Sequence, residues 1–170
     1  MKEYDFHQLL HDKEKLLQTI STLQEKEILR QTPDEGEIKG HLQKAHHNLR
    51  FVSDTKPEYL DWAITGCYYA CYHAALALIL TIGYSSKNHL ATLCLLIQHF
   101  YADKLDLQDL EAFNKLLDYH DLMFYVETKN KREDATYSTK VLFNTKEADQ
   151  LRMKAALFVN KVEEILKQRT

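Results

Sequence analysis

The chain has 170 residues and a hydrophobic content of 45%, which suits one domain with an ordinary core and argues against a disordered chain. It contains only 4 glycines and 2 prolines, too few for the turns of an all-β protein. The net charge of −3 argues against a broad phosphate-binding surface, although it leaves room for a small local basic patch.

The N-terminal segment predicts a helix from about Tyr4 to Leu29, because apolar residues mark one face among charged ones. The sequence Thr-Pro-Asp-Glu-Gly at 32–36 then breaks the pattern. We interpret this break as the boundary between an N-terminal helical arm, residues 1–32, and the main helical bundle, residues 33–170. The next helix starts near Asp34 and stops before Pro57, since the residue preceding a proline is pushed out of the helical region.

The stretch from Asp61 to Gly83 is apolar nearly all round and predicts the central helix of the fold. Small residues recur along one stripe at spacings of three and four, which lets neighbouring backbones come close; they are Ala63, Gly66, Ala70, Ala74 and Ala77. A membrane span is disfavoured, because His73 and Thr65 interrupt a run that must reach roughly 20 apolar residues to cross a bilayer. We therefore expect a buried core helix.

The rest of the chain predicts three further helices. Gly83 provides a left-handed cap to the central helix, and Ser85 or Ser86 can cap the next one. Asp106 or Asp109 opens another helix, and the helical period is lost from Glu127 to Phe143. Asn144 followed by Glu147 predicts a capping box for the last helix. The fold class is therefore all-α, an up-and-down antiparallel bundle of five to six helices with an extra N-terminal helix.

The cysteines and the N-terminus indicate the compartment. Cys67, Cys71 and Cys94 are odd in number and lie on apolar helical stripes, so no disulfide framework fits them and a reducing cytosol is predicted. The N-terminus is too polar for a secretory signal peptide. We expect a cytoplasmic protein that does not associate with a membrane.

Two short segments could bind phosphate. Lys87 and His89 lie at the start of a predicted helix, where unpaired N–H groups and the positive end of the helix dipole favour anions. Arg132 with Tyr137 could contact a phosphate and stack on a base. Each segment also has an alternative without a ligand. In these alternatives Lys87 is simply solvated while His89 hydrogen-bonds a backbone carbonyl, and the Arg132 segment is a surface loop whose charges pair locally.

Other candidate groups favour structural roles. Cys71 and His73 could form a nucleophile and base, but residues two apart diverge on a helix, so a hydrogen-bonded core histidine is favoured. The adjacent pairs His46–His47 and His120–Asp121 diverge in the same way. No spacing matches a zinc motif, a glycine-rich phosphate loop or a nucleophile elbow, so we predict no catalytic residue, metal or cofactor. The tyrosines of the central helix could stack on bases, although core and dimer packing is favoured; they are Tyr68, Tyr69 and Tyr72.

Three short motifs occur in order along residues 40–167: HLQKAHHNLRFV before the YYACYHAALALIL helix, then GYSSKNH, then KREDATYS. Taken together, they resemble the HEPN domain, a compact helical module. GYSSKNH is similar to the family's Lys-Ser-His-like step, and KREDATYS is similar to its Arg-x-x-Ala-Asp-Tyr element. The second maps onto Gly83, Lys87 and His89. The third maps onto Arg132 and Tyr137, with Asp134 and Ala135 in swapped order.

The resemblance implies a homodimer with nucleotide or RNA chemistry, commonly paired with a small nucleotidyltransferase in toxin–antitoxin or phage-defence systems. Many members are metal-independent ribonucleases whose signature is an Arg followed by a His four to six residues later. No arginine of this chain has a histidine at that distance, and Arg132 meets Tyr137 where the His would stand. Tyrosine is a poor base at neutral pH because its unperturbed pKa is about 10.

The leading hypothesis is therefore a non-nuclease HEPN-type protein that dimerises. It would use Lys87, His89, Arg132 and Tyr137 to bind a nucleotide or RNA phosphate, or to dock a nucleotidyltransferase partner. One alternative is a ribonuclease with a rearranged site, in which folding brings His89 beside Arg132. Another is a purely structural partner protein that takes no small ligand.

Overall fold

The computed structural model describes residues 4–55, 58–132 and 144–169, with side chains described for all of these except 122–132. The elements in chain order are α1 (Phe6–His11), α2 (Lys13–Gln24), β1 (Ile28–Arg30), α3 (Glu35–Asp54), α4 (Leu60–Leu80), β2 (Tyr84–Ser86), α5 (His89–Phe100), α6 (Leu107–Arg132) and α7 (Thr145–Lys167). The predicted all-α bundle is confirmed, with one small antiparallel two-stranded sheet added to it.

Helix α4 is the centre of the fold, packed against α3, α5, α6 and α7. All five members of its small-residue stripe are buried, as predicted. Among the described residues, α4 is long and apolar enough to cross a membrane by length and composition, but 72% of its most apolar window is buried inside the fold. Such burial is typical of a central core helix.

Capping residues predicted from the sequence are found at the starts of α3 and α7. The Asp34 carboxylate accepts the Glu37 backbone N–H at 2.6 Å at the start of α3. Asn144 and Glu147 form a reciprocal capping box on α7, and Gly83 follows α4 with φ of +79°. A side chain at Gly83 would also approach the Gln31 carbonyl oxygen, to 3.0 Å, so glycine is required there for two reasons.

The N-terminal segment differs from its prediction in two ways. Asp12 divides it into two helices, because its backbone is extended and its carboxylate caps α2 by accepting the Lys15 N–H at 2.9 Å. Residues 28–30 then form β1 instead of the end of a helix. Even so, the segment packs into the same hydrophobic core as the bundle, through Phe6, Leu9, Leu16, Ile20 and Ile28. The division of the chain at residue 33 stays a prediction.

Two further predictions about helix ends are wrong. Ser85 and Ser86 do not cap α5, because both belong to β2, where they pair with β1; Asn88 is the cap. The α6 backbone also stays helical through Arg132, beyond the predicted loss at Glu127. The apolar period does end there, but Glu, Lys and Arg have high helix propensity and can extend a helix that has no apolar face.

Candidate functional site

The corner between β2 and α5 places Lys87 and His89. The buried Ser86 hydroxyl donates to the Asn88 carbonyl oxygen at 2.9 Å and accepts the Asn88 N–H at 3.1 Å. The Asn88 side chain in turn accepts the Ala91 N–H at 3.0 Å, which caps α5. The backbone that carries Lys87 and His89 is therefore fixed on both sides of the turn.

The central helix holds the His89 ring. The Tyr68 hydroxyl lies 2.7 Å from His89 Nδ1 and 3.3 Å from Nε2. The Tyr72 ring lies beside His89 at a centroid distance of 5.1 Å, and its hydroxyl donates to the Ser86 carbonyl oxygen at 3.4 Å. Helix α4 thus provides both the hydrogen bond and the aromatic wall that orient His89.

Helix α6 adds a second imidazole. The His120 ring stacks on Tyr68 at a centroid distance of 4.0 Å and lies 5.3 Å from the His89 ring. The exposed Asp121 carboxylate lies next to it, with Oδ1 3.7 Å from His120 Nδ1. We call the group formed by Tyr68, His89, His120 and Asp121 the imidazole cluster.

The cluster is partly desolvated. Burial lowers the pKa of His89, the nearby His120 lowers it further, and Asp121 partly opposes them. Burial also raises the pKa of the Tyr68 hydroxyl, so Tyr68 stays a neutral hydrogen-bonding group. At pH 7 His89 is therefore a neutral imidazole with one donor and one acceptor nitrogen.

The N-terminal arm reaches this end of the molecule. The Tyr4 hydroxyl donates to Asn114 Oδ1 on α6 at 3.0 Å. Burial raises the pKa of Tyr4, and the negative charges of Asp118 and Asp121 raise it further. Tyr4 and Leu90, the neighbour of His89, also line one pocket together with Lys15 of α2. Tyr4 thus brings the N-terminal arm against α6 and near the residue that follows His89.

The structure describes the side chains of only some of the predicted site residues. Lys87 is exposed and His89 is half-buried, and the two lie together at the start of α5, as predicted. The side chain of Arg132 and all of Tyr137 lie outside the described residues, so their placement beside His89 stays a prediction. Among the tyrosines, Tyr68 is buried core, whereas Tyr69 is 42% exposed and faces His120 edge-on.

Sequence reasoning missed His120 and Asp121. It treated them as a diverging pair on one helix, and nothing in the spacing pointed to His89, which is 31 positions away on another helix. One signal was present: His120 continues the buried face of Phe113 and Leu117 at spacings of four and three. A polar ring on such a face has to find a partner inside the fold.

A second imidazole pair lies on the other side of α4. His41 Nδ1 and His73 Nδ1 are 3.0 Å apart, so the hydrogen bond predicted for His73 is found, although the side chain is half-buried and not fully in the core. Burial lowers the pKa of His73 to about 4, helped by His41 and Lys44. Burial also lowers the pKa of His41, although Glu37 opposes this. Two adjacent half-buried imidazoles cannot both carry charge at low cost.

Because of the His41–His73 pair, we expect the fold to lose stability in acid. The unfolded chain takes up protons near pH 6.5 and folded His73 only near pH 4, so the stability it contributes is complete above pH 6.5 and declines between those values. Discounted for partial exposure, we expect the fall from pH 7 to pH 5 to be smaller in His73→Gln by roughly 1 kcal/mol, or about 3 °C in Tm. Thermal melts at both pH values check this. The exposed His7→Gln is the control and should keep the wild-type difference.

Comparison with known proteins identifies a distant relative with a descriptive name. No family model matches the chain. A curated protein named "Putative toxin MJ0142", from Methanocaldococcus jannaschii, is 26% identical to it over 132 residues, which is 76% of this chain and 82% of the relative. The chain is thus similar along most of its length to a protein named as a putative toxin.

Proposed function

We propose that the chain is a HEPN-type nucleotide- or RNA-binding protein that acts in a toxin–antitoxin system. The observation that carries the proposal is the placement of Lys87 and His89 at the start of α5. Lys87 is exposed and His89 is half-exposed, and both lie on a hydrogen-bonded turn. The likeness to a protein named as a toxin supports the biological role. The resemblance in motif order supports the HEPN assignment.

The start of α5 offers three attractions to a phosphate. Lys87 brings a positive charge, the first helical turn has N–H groups without intrahelical partners, and His89 can donate a hydrogen bond. The exposed ring of Tyr69 lies next to His120 and offers a face on which a base can stack. A phosphate near Lys87 and a base over Tyr69 would occupy neighbouring parts of one nucleotide site. Arg132 and Tyr137 would complete it.

Binding of short RNAs, ATP and AMP tests the proposal. We expect Lys87→Ala to weaken binding of a fluorescent RNA roughly 5- to 10-fold, the loss of one charge-assisted hydrogen bond. Lys104→Ala is the matched control, because Lys104 is also exposed and lies just past the other end of α5. Equal affinities for both variants and the wild type, or no binding to any of these probes, would contradict the proposal.

The proposed partners follow from the resemblance. We expect a homodimer that docks a minimal nucleotidyltransferase, and co-expression of the two proteins followed by size-exclusion chromatography with light scattering would test this. A stable stoichiometric complex is the supporting result. A monomer that elutes alone would remove the partner from the proposal and leave nucleotide binding to be judged by its own experiment.

A second candidate function is favoured by the imidazole cluster. Two histidines whose rings lie 5.3 Å apart could serve as the general base and the general acid for cleavage of RNA. This site differs from the rearranged ribonuclease considered from the sequence, which pairs His89 with Arg132, because here His120 is the partner of His89. RNA cleavage in EDTA that falls by about 10²- to 10⁴-fold in His89→Gln and in His120→Gln would favour it over the binding protein.

A further inference from the structure

The imidazole cluster contains three potential metal ligands whose spacing in the sequence matches no metal-binding motif. His89, His120 and Asp121 each offer one ligand atom, and these three atoms all lie within 4.8 Å of one another. We propose that His89, His120 and Asp121 bind one divalent transition-metal ion of the Zn²⁺ class. This site goes beyond the proposed function, because phosphate binding at Lys87 does not require it.

Only a small movement would bring the ligands to bonding distance. Tetrahedral Zn²⁺ with bonds of about 2.0–2.1 Å holds its ligand atoms about 3.3 Å apart. His89 and His120 lie on two packed helices, α5 and α6, so their rings start from defined positions. Asp121 is exposed, and its carboxylate can rotate toward the two rings without disturbing the core.

The surroundings of the two rings match a metal site. His120 Nδ1 is buried and makes no hydrogen bond within the part of the chain that the structure describes. A metal ion would give that nitrogen the partner that buried polar atoms normally have. The Tyr68 hydroxyl can accept Nδ1–H from His89, which leaves the lone pair on His89 Nε2 free for a metal. The same Tyr68 ring stacks on His120 and fixes its plane.

The donor set selects the kind of ion. Two imidazoles and one carboxylate suit Zn²⁺ and neighbouring first-row metals, whereas Mg²⁺ and Ca²⁺ prefer oxygen ligands. The thiols that favour softer ions are buried elsewhere, at Cys67, Cys71 and Cys94. With three protein ligands, a fourth position would remain for water or for a phosphate oxygen.

Isothermal titration of the untagged full chain, stripped with EDTA and dialysed free of it, tests the site. We expect one Zn²⁺ per chain, an affinity at least 10-fold weaker in His120→Gln and in Asp121→Asn, and no heat with Mg²⁺ at the same concentration. His41→Gln is the matched control, because it removes one imidazole from the other histidine pair and should leave the affinity unchanged. Melting curves without metal show that each variant is folded.

Two results would overturn the site. One is wild-type protein that takes up no Zn²⁺ at micromolar concentrations. The other is uptake that survives in both His120→Gln and Asp121→Asn, or that is lost in His41→Gln. Co²⁺ gives an independent reading: its visible spectrum should show nitrogen and oxygen ligation without a thiolate charge-transfer band, and such a band would assign the metal to a cysteine instead. The RNA-binding experiment with Lys87→Ala is unaffected by any of these outcomes.

Discussion

Replacing Gly66 with leucine is expected to lower the free energy of unfolding by about 3 kcal/mol or more, equivalent to roughly 6–12 °C in Tm. A Cβ at position 66 would lie 2.5 Å from Val52 Cγ2 and 3.0 Å from Phe51 Cδ1. Val52 is 3% exposed and β-branched, so its methyl group cannot move aside. Helices α3 and α4 would have to separate.

Gly40→Leu is the matched control for this prediction. Gly40 is also in a helix, but a Cβ there meets no atom within 4 Å and the residue is exposed. Since leucine has a higher helix propensity, we expect Gly40→Leu to raise the free energy of unfolding by about 0.5–1 kcal/mol. Urea denaturation of both variants measures the two effects. A Gly66→Leu protein as stable as the wild type would show that α3 and α4 are not in close contact.

The fold could be predicted from sequence wherever one physical signal dominates. The small-residue stripe of α4 and the capping box at Asn144 are such cases, because periodicity and cap chemistry are local. The β1–β2 sheet could not be predicted in this way. Its partners, Ile28 and Ser86, are 58 positions apart, and each strand has only three residues, too few for an alternating pattern to show.

The candidate site was predictable only in part, because local motifs can be recognised in a sequence whereas contacts between distant helices cannot. Lys87 and His89 lie two positions apart at a helix start, so a local motif identifies them. The contact between His89 and His120 depends on how α4, α5 and α6 pack around Tyr68, and no spacing in the sequence encodes it. The helix that carries His120 is therefore as important to the site as the motif that carries His89.

The packing of α7 against α6 provides the last prediction. Phe158 of α7 is 1% exposed and stacks on Phe113 of α6 at a centroid distance of 5.6 Å. We expect Phe158→Ala to lower the free energy of unfolding by about 3–5 kcal/mol, because it removes a buried ring and leaves a cavity between the two helices. Urea denaturation measures the change.

Leu157→Ala separates this effect from any general loss of α7. Leu157 is the neighbouring residue on the same helix but is 60% exposed, so its replacement should change stability by no more than about 0.5 kcal/mol. Equal losses in the two variants would contradict the packing. Phe113 also lies on the same helix as His120, two turns before it. A Phe158→Ala protein that still folds at low temperature should therefore show altered ring contacts between His120 and Tyr68 by NMR, whereas Leu157→Ala should keep them. That difference would show that the α6–α7 core holds the second imidazole in place.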